Sequence, residues 1–320
     1  MRVGLFIPCY VDQFYPQVGI ATLQLLEKAG CEVVYPAAQT CCGQPMANSG
    51  FEHLTKGCNE LFIKNFHEFD YIVSPSGSCV LHIKDHLHAG QPHGYSSGQP
   101  HVTSSISGQS QGSSSGLSHG SSSSVQPLDS FSISGQSQGS SSRQSHSSAS
   151  GQPHEPSSGD GPSASGDPEE QAQGIRGKIY ELVEFLTDIL KIEKLDAKFQ
   201  HRVGVHQSCH GQRGLKLAQM TELMAPPFSK PEQLLHMVEG IQLIELDRKD
   251  ECCGFGGTFC VAEEAVSVKM GKDRVADHIH HGAEYITAAD MSCLMHMEGI
   301  LRRQKSPVKV IHIAEILNGR

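Results

Sequence analysis

Cys41-Cys42-Gly43 and Cys252-Cys253-Gly254 place two adjacent thiols before a glycine at two points of the chain. Each tripeptide has one further cysteine on either side. Cys9 precedes the first pair by 31 residues and Cys79 follows Gly43 after 35. Cys209 precedes the second pair by 42 residues and Cys293 follows Gly254 after 38. The chain thus offers four candidate thiolates twice over. Four thiolates suit an iron–sulfur cluster, whose iron is held by cysteine sulfur. Two other chemistries draw on the same residues, a structural zinc site and a redox-active dithiol. Zinc sites favour paired CxxC knuckles, and the sequence contains none.

Adjacent residues of an extended strand point to opposite faces. Both thiols of a pair reach one site only if the backbone turns there, and the following glycine supplies that freedom. Phe255-Gly256-Gly257-Thr258 extends the second turn and offers amide donors to cluster sulfur. Cys31 and Cys58 read as small core residues. Cys260 follows the second glycine-rich turn and is a candidate for a part at that site. His82 and His296 each lie three residues beyond the last cysteine of a set, on the same helical face. They read either as hydrogen-bonding partners of the site or as polar residues near a helix start. His206 and His210 flank Cys209 without first-half counterparts, and His278, His280 and His281 read as solvated helix positions.

The elements that must position these residues also occur twice. Val3-Gly4 and Val203-Gly204 stand at the same offset ahead of Cys9 and Cys209, and Tyr71–Ile83 matches Tyr285–Met297 at Tyr-Ile, Ser-Cys and His. In the first copy the pattern predicts strands at Val3–Ile7, Cys31–Tyr35 and Tyr71–Ser74. Helices are predicted at Ile20–Ala29, capped by Gly30, and at Phe51–Phe69. The second copy predicts strands at Arg202–Val205, Ile241–Leu246 and Tyr285–Ala288, with helices at Gly214–Met224 and Ala262–Ile279. Glu181–Ile192 and Val308–Leu317 read as supporting elements. Strands alternating with helices predict an α/β fold with parallel layers. The cysteines then fall at the carboxyl ends of strands, where open α/β sheets place their sites.

Between the copies, residues 90–174 are rich in Ser, Gly, Gln, Pro and His. Ser105–Ser115 recurs unchanged as Ser132–Ser142, and GQPH begins at Gly90, Gly98 and Gly151. Such a composition cannot bury enough apolar surface to offset its ordering entropy and predicts a disordered, solvated tether. Its histidines (His93, His101, His119, His146, His154) are at most weak metal donors. The expected organisation is a first domain at 1–89, the low-complexity insert at 90–174 and a second domain at 175–320. A formal charge of −9 argues against nucleic acid or an anionic membrane as partner. No apolar run approaches the roughly 18–20 residues of a membrane span. The N-terminus enters a strand-like run without signal-peptide anatomy, so a cytoplasmic location is expected. No dinucleotide fingerprint, nucleophile elbow or metalloprotease helix is present. The chain therefore reads as passing electrons rather than taking them from a substrate itself.

Several motifs together carry a resemblance to a known family. The distant cysteine, the CysCysGly turn and the C-terminal cysteine resemble the cysteine-rich CCG domain, which occurs in heterodisulfide reductase and in the iron–sulfur subunit of glycolate oxidase. LLEKAGCEVVYPAAQTCCGQPMANSG, CCGFGGTF, ADMSCLMHMEGILRR and VKVIHIAEIL are most similar to its lactate-utilization members, over Met1–His88 and about Gly174–Arg320. The resemblance implies two duplicated CCG domains, each binding an iron–sulfur cluster, most simply [4Fe–4S]. The ligands would be Cys9, Cys41, Cys42 and Cys79, then Cys209, Cys252, Cys253 and Cys293. It further implies a cytoplasmic complex oxidising L-lactate to pyruvate, with a ferredoxin-like iron–sulfur subunit and a third subunit as partners. Another 2-hydroxy acid such as glycolate, or thiol/disulfide reduction of the heterodisulfide reductase type, is the alternative within the family. Heterodisulfide reductase carries a fifth cysteine in a CxxC ending each half. Here that position is Ser76 or Asp290, which leaves Asp290 as a candidate oxygen ligand and argues against disulfide cleavage.

Overall fold

The computed structural model describes residues 1–89 and 167–319. The residues between them, with the expected tether and its histidines, lie outside the described residues. Two four-stranded parallel sheets carry the fold. The first has the order β2-β1-β3-β4, from Arg2–Leu5 (β1), Glu32–Val34 (β2), Tyr71–Ser74 (β3) and Ile179–Glu181 (β4). The second has the order β6-β5-β7-β8, from Arg202–Val205 (β5), Gln242–Leu243 (β6), Tyr285–Ala288 (β7) and Lys309–His312 (β8). Registers repeat as well. Val3 pairs with Tyr71 and Val203 with Tyr285.

β1 and β5 show why these segments become strands. Three of four residues in each are buried, as expected where helices cover both faces of a parallel sheet. The helix Pro16–Lys28 begins with proline at its first position and ends at Gly30 (φ 82°). There the Gly30 and Cys31 amides donate back to the Glu27 and Leu26 carbonyls. Its buried face is Val18, Ala21, Leu25 and Leu26, and Ile20 is half exposed. Helices Lys56–Phe66 and Glu264–His280 occupy equivalent places ahead of β3 and β7.

Two expectations from the sequence change. β4 belongs to the first sheet, pairing Ile72 with Ile179 and Ser74 with Glu181. A boundary at 174/175 therefore cuts the first domain instead of separating the two. The helix Pro168–Lys178, capped by the Asp167 carboxylate at 3.1 Å, leads into β4 and takes in the end of the low-complexity range. The second change concerns Gly214–Met224, which is not a helix. A single wide turn, His210–Gly214, ends where Lys216 adopts φ 56°, and the chain then folds back on itself. Gln219 N–H donates to the Phe228 carbonyl and Lys230 N–H to that of Leu217. Gly214 packs closely there, since a Cβ on it would stand 2.3 Å from the Leu81 side chain.

Candidate metal centres

The sheet order makes the chain reverse direction between β1 and β3, and again between β5 and β7. Open α/β sheets bind ligands in the crevice at such a switch point, outside the strand carboxyl ends. Cys9 opens the short helix Cys9–Phe14 after β1, Cys41 and Cys42 follow β2, and Cys79 lies in the first turn of helix Gly77–His86 after β3. Cys209, Cys252, Cys253 and Cys293 take the same places around β5, β6 and β7.

In the first half the thiols run Cys9–Cys41–Cys42–Cys79, each within hydrogen-bond reach of the next. The second half repeats the run as Cys209–Cys252–Cys253–Cys293. Each run passes from the surface inward. Cys9 is exposed and Cys42 and Cys79 are buried, while Cys209 and Cys252 are half-buried and Cys253 and Cys293 buried. Hydrogen bonds from Cys42 and Cys9, helped by the Gly43 amide, pull the Cys41 thiol down to about 2. Those from Cys209 and Cys253, with the Gly254 amide, do the same to Cys252. The neighbours Cys9, Cys42, Cys209 and Cys253 are pushed up by the same pairings and by burial. Each set is a run of thiols paired end to end: no three thiols of one run lie within 4.8 Å of one another, and the one such group that includes any of them is His206, Cys253 and Cys293.

The glycine turns carry the geometry. Gly43 (φ 91°) and Gly254 (φ 84°) lie in the left-handed region, and each amide donates 3.4 Å to the first thiol of its pair. A Cβ on Gly254 would sit 2.6 Å from the Ser267 carbonyl oxygen. His82 lies buried under the first turn, its Nε2 3.6 Å from where a Gly43 Cβ would be, and burial lowers its pKa to about 4. His296 stands 3.4 Å from the Ser267 carbonyl under the second. Both are thus neighbours of the sites. Cys260 turns its thiol back onto the Gly257 carbonyl at 3.0 Å. Cys31 is buried in the core and Cys58 half-buried on a helix.

Ser76 and Asp290, at the fifth position of the five-cysteine relatives, are helix caps. Ser76 Oγ accepts from the Cys79 amide, and Asp290 accepts from the Ser292 amide at 3.0 Å. Asp290 also accepts from the Ser78 amide (2.8 Å), Tyr10 Oη (3.1 Å) and Ser76 Oγ (3.4 Å), all from the other half. Burial alone would raise its carboxyl, but bonds from Ser292 and Ser78, with His210 nearby, hold it below the ordinary carboxylate value. Both oxygens already serve protein donors, so the carboxylate joins the halves instead of facing a metal unengaged.

The second half holds what sequence reasoning set aside. His206 is 2% exposed, and neither ring nitrogen has a hydrogen-bond partner. Its donor atom, with the thiols of Cys253 and Cys293, forms a group lying within 4.8 Å of one another. Burial, then the Arg274 charge, lowers its pKa to about 3. His278, expected in solvent, is fully buried against Gly204 and contacts Arg274 at 3.1 Å. The signal for His206 lay in its offset from Cys209, which matches that of Phe6 from Cys9.

A cavity of about 580 Å³ of mixed lining, with Gln207, Gln212 and Asp250 beside Phe228 and Leu243, opens beyond β5 and β6.

Comparison with known proteins agrees with this geometry. The family model for the cysteine-rich domain CCG matches residues 3–84 and 203–298, once in each half. Lactate utilization protein A of Geobacillus sp. (strain WCH70) is 33% identical over 321 residues, covering all of both chains. That of Macrococcus caseolyticus is 33% identical over 320 residues, covering all of this chain and 97% of its own. That of Geobacillus kaustophilus is 32% identical over 322 residues, again covering both chains in full. With both copies of the motif and matches along its whole length, this chain belongs to the cysteine-rich CCG domain family, among relatives of the lactate utilization A type.

Proposed function

We propose that the chain is the iron–sulfur electron-transfer subunit of a complex oxidising L-lactate to pyruvate, with one cluster in each half. One observation carries this reading: two equivalent runs of four thiols lie at the switch points of two equivalent sheets. The four cysteines in each half fit a cluster by the chemistry of their donors, since cluster iron is held by thiolate sulfur. When bound, an iron–sulfur cluster supplies reversible one-electron transfer. The chain's own groups do the rest. Cys9, Cys41, Cys42 and Cys79 hold the first centre, and Cys209, Cys252, Cys253 and Cys293 the second. Gly43 and Gly254 turn the backbone so that both thiols of a pair face inward, and aim amides at sulfur. The first-turn positions of Cys79 and Cys293 place the positive ends of their helix dipoles beside the thiolates.

The link to lactate comes from the relatives' name and is a proposal for this chain. So are a ferredoxin-like iron–sulfur subunit and a third subunit as partners, with glycolate the nearest alternative substrate. Phe14, Phe51 and Leu54, exposed by 71%, 53% and 56%, give the first half apolar surface on which a partner could dock. Eleven free thiols favour a reducing compartment such as the cytoplasm. Among the described residues no helix is long and apolar enough to cross a membrane.

Anaerobic purification with the partner proteins, followed by iron and sulfide analysis and EPR, tests the centres. Iron and sulfide in both halves, with absorbance near 400 nm that bleaches reversibly, is the expected result. Metal-free protein with a reversible two-electron dithiol would replace this reading with thiol/disulfide chemistry, which the lowered Cys41 and Cys252 thiols would then serve. Growth of a deletion strain on lactate and on glycolate tests the substrate.

A further inference from the structure

The two halves repeat each other in sheet order, register and thiols, yet they differ directly behind the thiols. The Phe6 amide donates to the Val73 carbonyl at 2.9 Å, and the His206 amide to that of Thr287 at 2.8 Å, so the two residues occupy one place in the duplicated fold. Phe6 packs edge-on against Phe62 and Phe66 at 4.9 and 5.8 Å between ring centroids. Phe69 and Phe66 together stand over Gly4, where His278 stands over Gly204. Phe62 lies one helical turn before Phe66, as Arg274 lies one turn before His278. An apolar trio in the first half is thus a His206, Arg274 and His278 trio in the second.

A phenylalanine in that place needs no partner, whereas a buried imidazole with both nitrogens unpartnered is strongly disfavoured unless something takes its lone pair. The large majority of buried polar side-chain atoms have a partner in protein, water or ligand. The thiols of Cys253 and Cys293 share a 4.8 Å group with the His206 donor atom. Arg274, itself fully buried, contacts His278 at 3.1 Å on the same helix. In the first half Phe6 has no donor atom to offer.

We infer that His206 is an iron ligand of the second centre in place of one of its four thiolates, making it a mixed thiolate and imidazole site, whereas the first is held by thiolate alone. This deepens the proposed function and rests on it. Imidazole is neutral where thiolate is anionic, and histidine ligation raises the potential of iron–sulfur centres. Buried Arg274 acts in the same direction by opposing the negative charge of the reduced site. The second centre is accordingly the higher-potential member of the pair.

The test uses the full chain purified anaerobically with its partners, from cells fed ¹⁵N-histidine against a ¹⁴N background. Pulsed EPR of the reduced protein should show a strongly coupled nitrogen, in one of the two centres, whose splitting follows the histidine label. A redox titration should resolve two potentials. In His206→Phe, which installs the first-half residue, the label-dependent coupling should disappear and the higher potential should move toward the lower. Full iron and sulfide in both halves, with nitrogen couplings indifferent to the histidine label, would overturn the inference while leaving the proposed function standing. Protein without iron or sulfide would overturn both. If His206→Phe does not fold, the same labelled measurement on His206→Gln decides the matter: a histidine coupling that persists there would overturn the inference.

Discussion

Ser76 and Asp290 occupy the same position in the two copies, and they pair with each other as an isolated antiparallel bridge. The residues that stand where related proteins carry a fifth cysteine thus meet at the seam between the halves. There the Asp290 carboxylate gathers donors from Ser292 in its own half and from Ser78, Tyr10 and Ser76 in the other. The seam is a shared hydrogen-bond node, with one carboxylate serving both copies.

Replacing Asp290 should therefore weaken the joint more than the metal sites. Asp290→Ala leaves several buried donors without an acceptor, a loss of about 3–5 kcal/mol by analogy with breaking a buried charged pair. Asp290→Asn keeps one oxygen and should lose less. Denaturant unfolding measures the stability and iron per chain measures the sites. Unchanged stability with iron lost from the second half would instead make Asp290 a ligand.

Each vicinal pair should govern its own half. Cys42→Ser should remove the first centre and Cys253→Ser the second, each halving the iron and sulfide per chain. Cys58→Ser, outside both thiol runs, should leave the metal content intact. Equal iron in Cys42→Ser and wild type would rule Cys42 out as a ligand.

Gly254 and Gly30 separate strain from crowding. Both have positive φ, so alanine at either should lose about 1–2 kcal/mol from the left-handed conformation alone. At Gly30 a Cβ meets nothing within 4 Å, while at Gly254 it meets the Ser267 carbonyl at 2.6 Å. Gly254→Ala should accordingly be the more destabilised by a further ~1–3 kcal/mol and should lose iron from the second half. Matching melting points for the two variants would contradict this.

His312 should make the fold acid-sensitive. It is fully buried, its Nδ1 accepts the Ala314 amide at 3.1 Å as a helix cap, and burial lowers its pKa to about 4. A depressed histidine stabilises the fold at pH above its unfolded value near 6.5, and that contribution is lost as pH falls toward about 4. The full effect is on the order of 3 kcal/mol, from about 1.4 kcal/mol per pH unit. His312→Asn retains a capping side chain without titrating in this range. Its stability should fall less than that of wild type between pH 7 and pH 4.5, and parallel curves would refute the assignment.

Much of this was legible because the duplication is local in sequence. Tyr71–Ser74, Arg202–Val205 and Tyr285–Ala288 are strands with the boundaries that the pattern predicts. Strand alternation and the CysCysGly turns depend on neighbours a few residues away, and Gly43 and Gly254 take up the positive φ that two inward-facing thiols require. β4 escaped because strand pairing is non-local. Ile179 finds Ile72 across the whole low-complexity segment. A signal existed in KIYELVEFL at 178–186, which parallels KVIHIAEIL at 309–317, with Glu181 and His312 both capping and Glu184 and Glu315 both answering. Gly214–Met224 misled in the opposite direction. Its composition suits a helix, but Lys216 adopts a positive φ and the chain pairs Gln219 with Phe228 and Lys230 with Leu217, partners the local pattern does not reveal.

The sequence by itself determined that this chain carries two copies of one cysteine-bearing α/β unit, because residue type and spacing suffice to identify thiolate donors and the turns that present them. Only the tertiary structure decided how the copies differ. Asp290 became a seam residue because donors from the other half reach it first. His206 became a candidate ligand because folding buries it, denies it any partner among the described residues and brings it to Cys253 and Cys293. Burial and proximity between distant segments are properties of the packed chain, and no local pattern carries them.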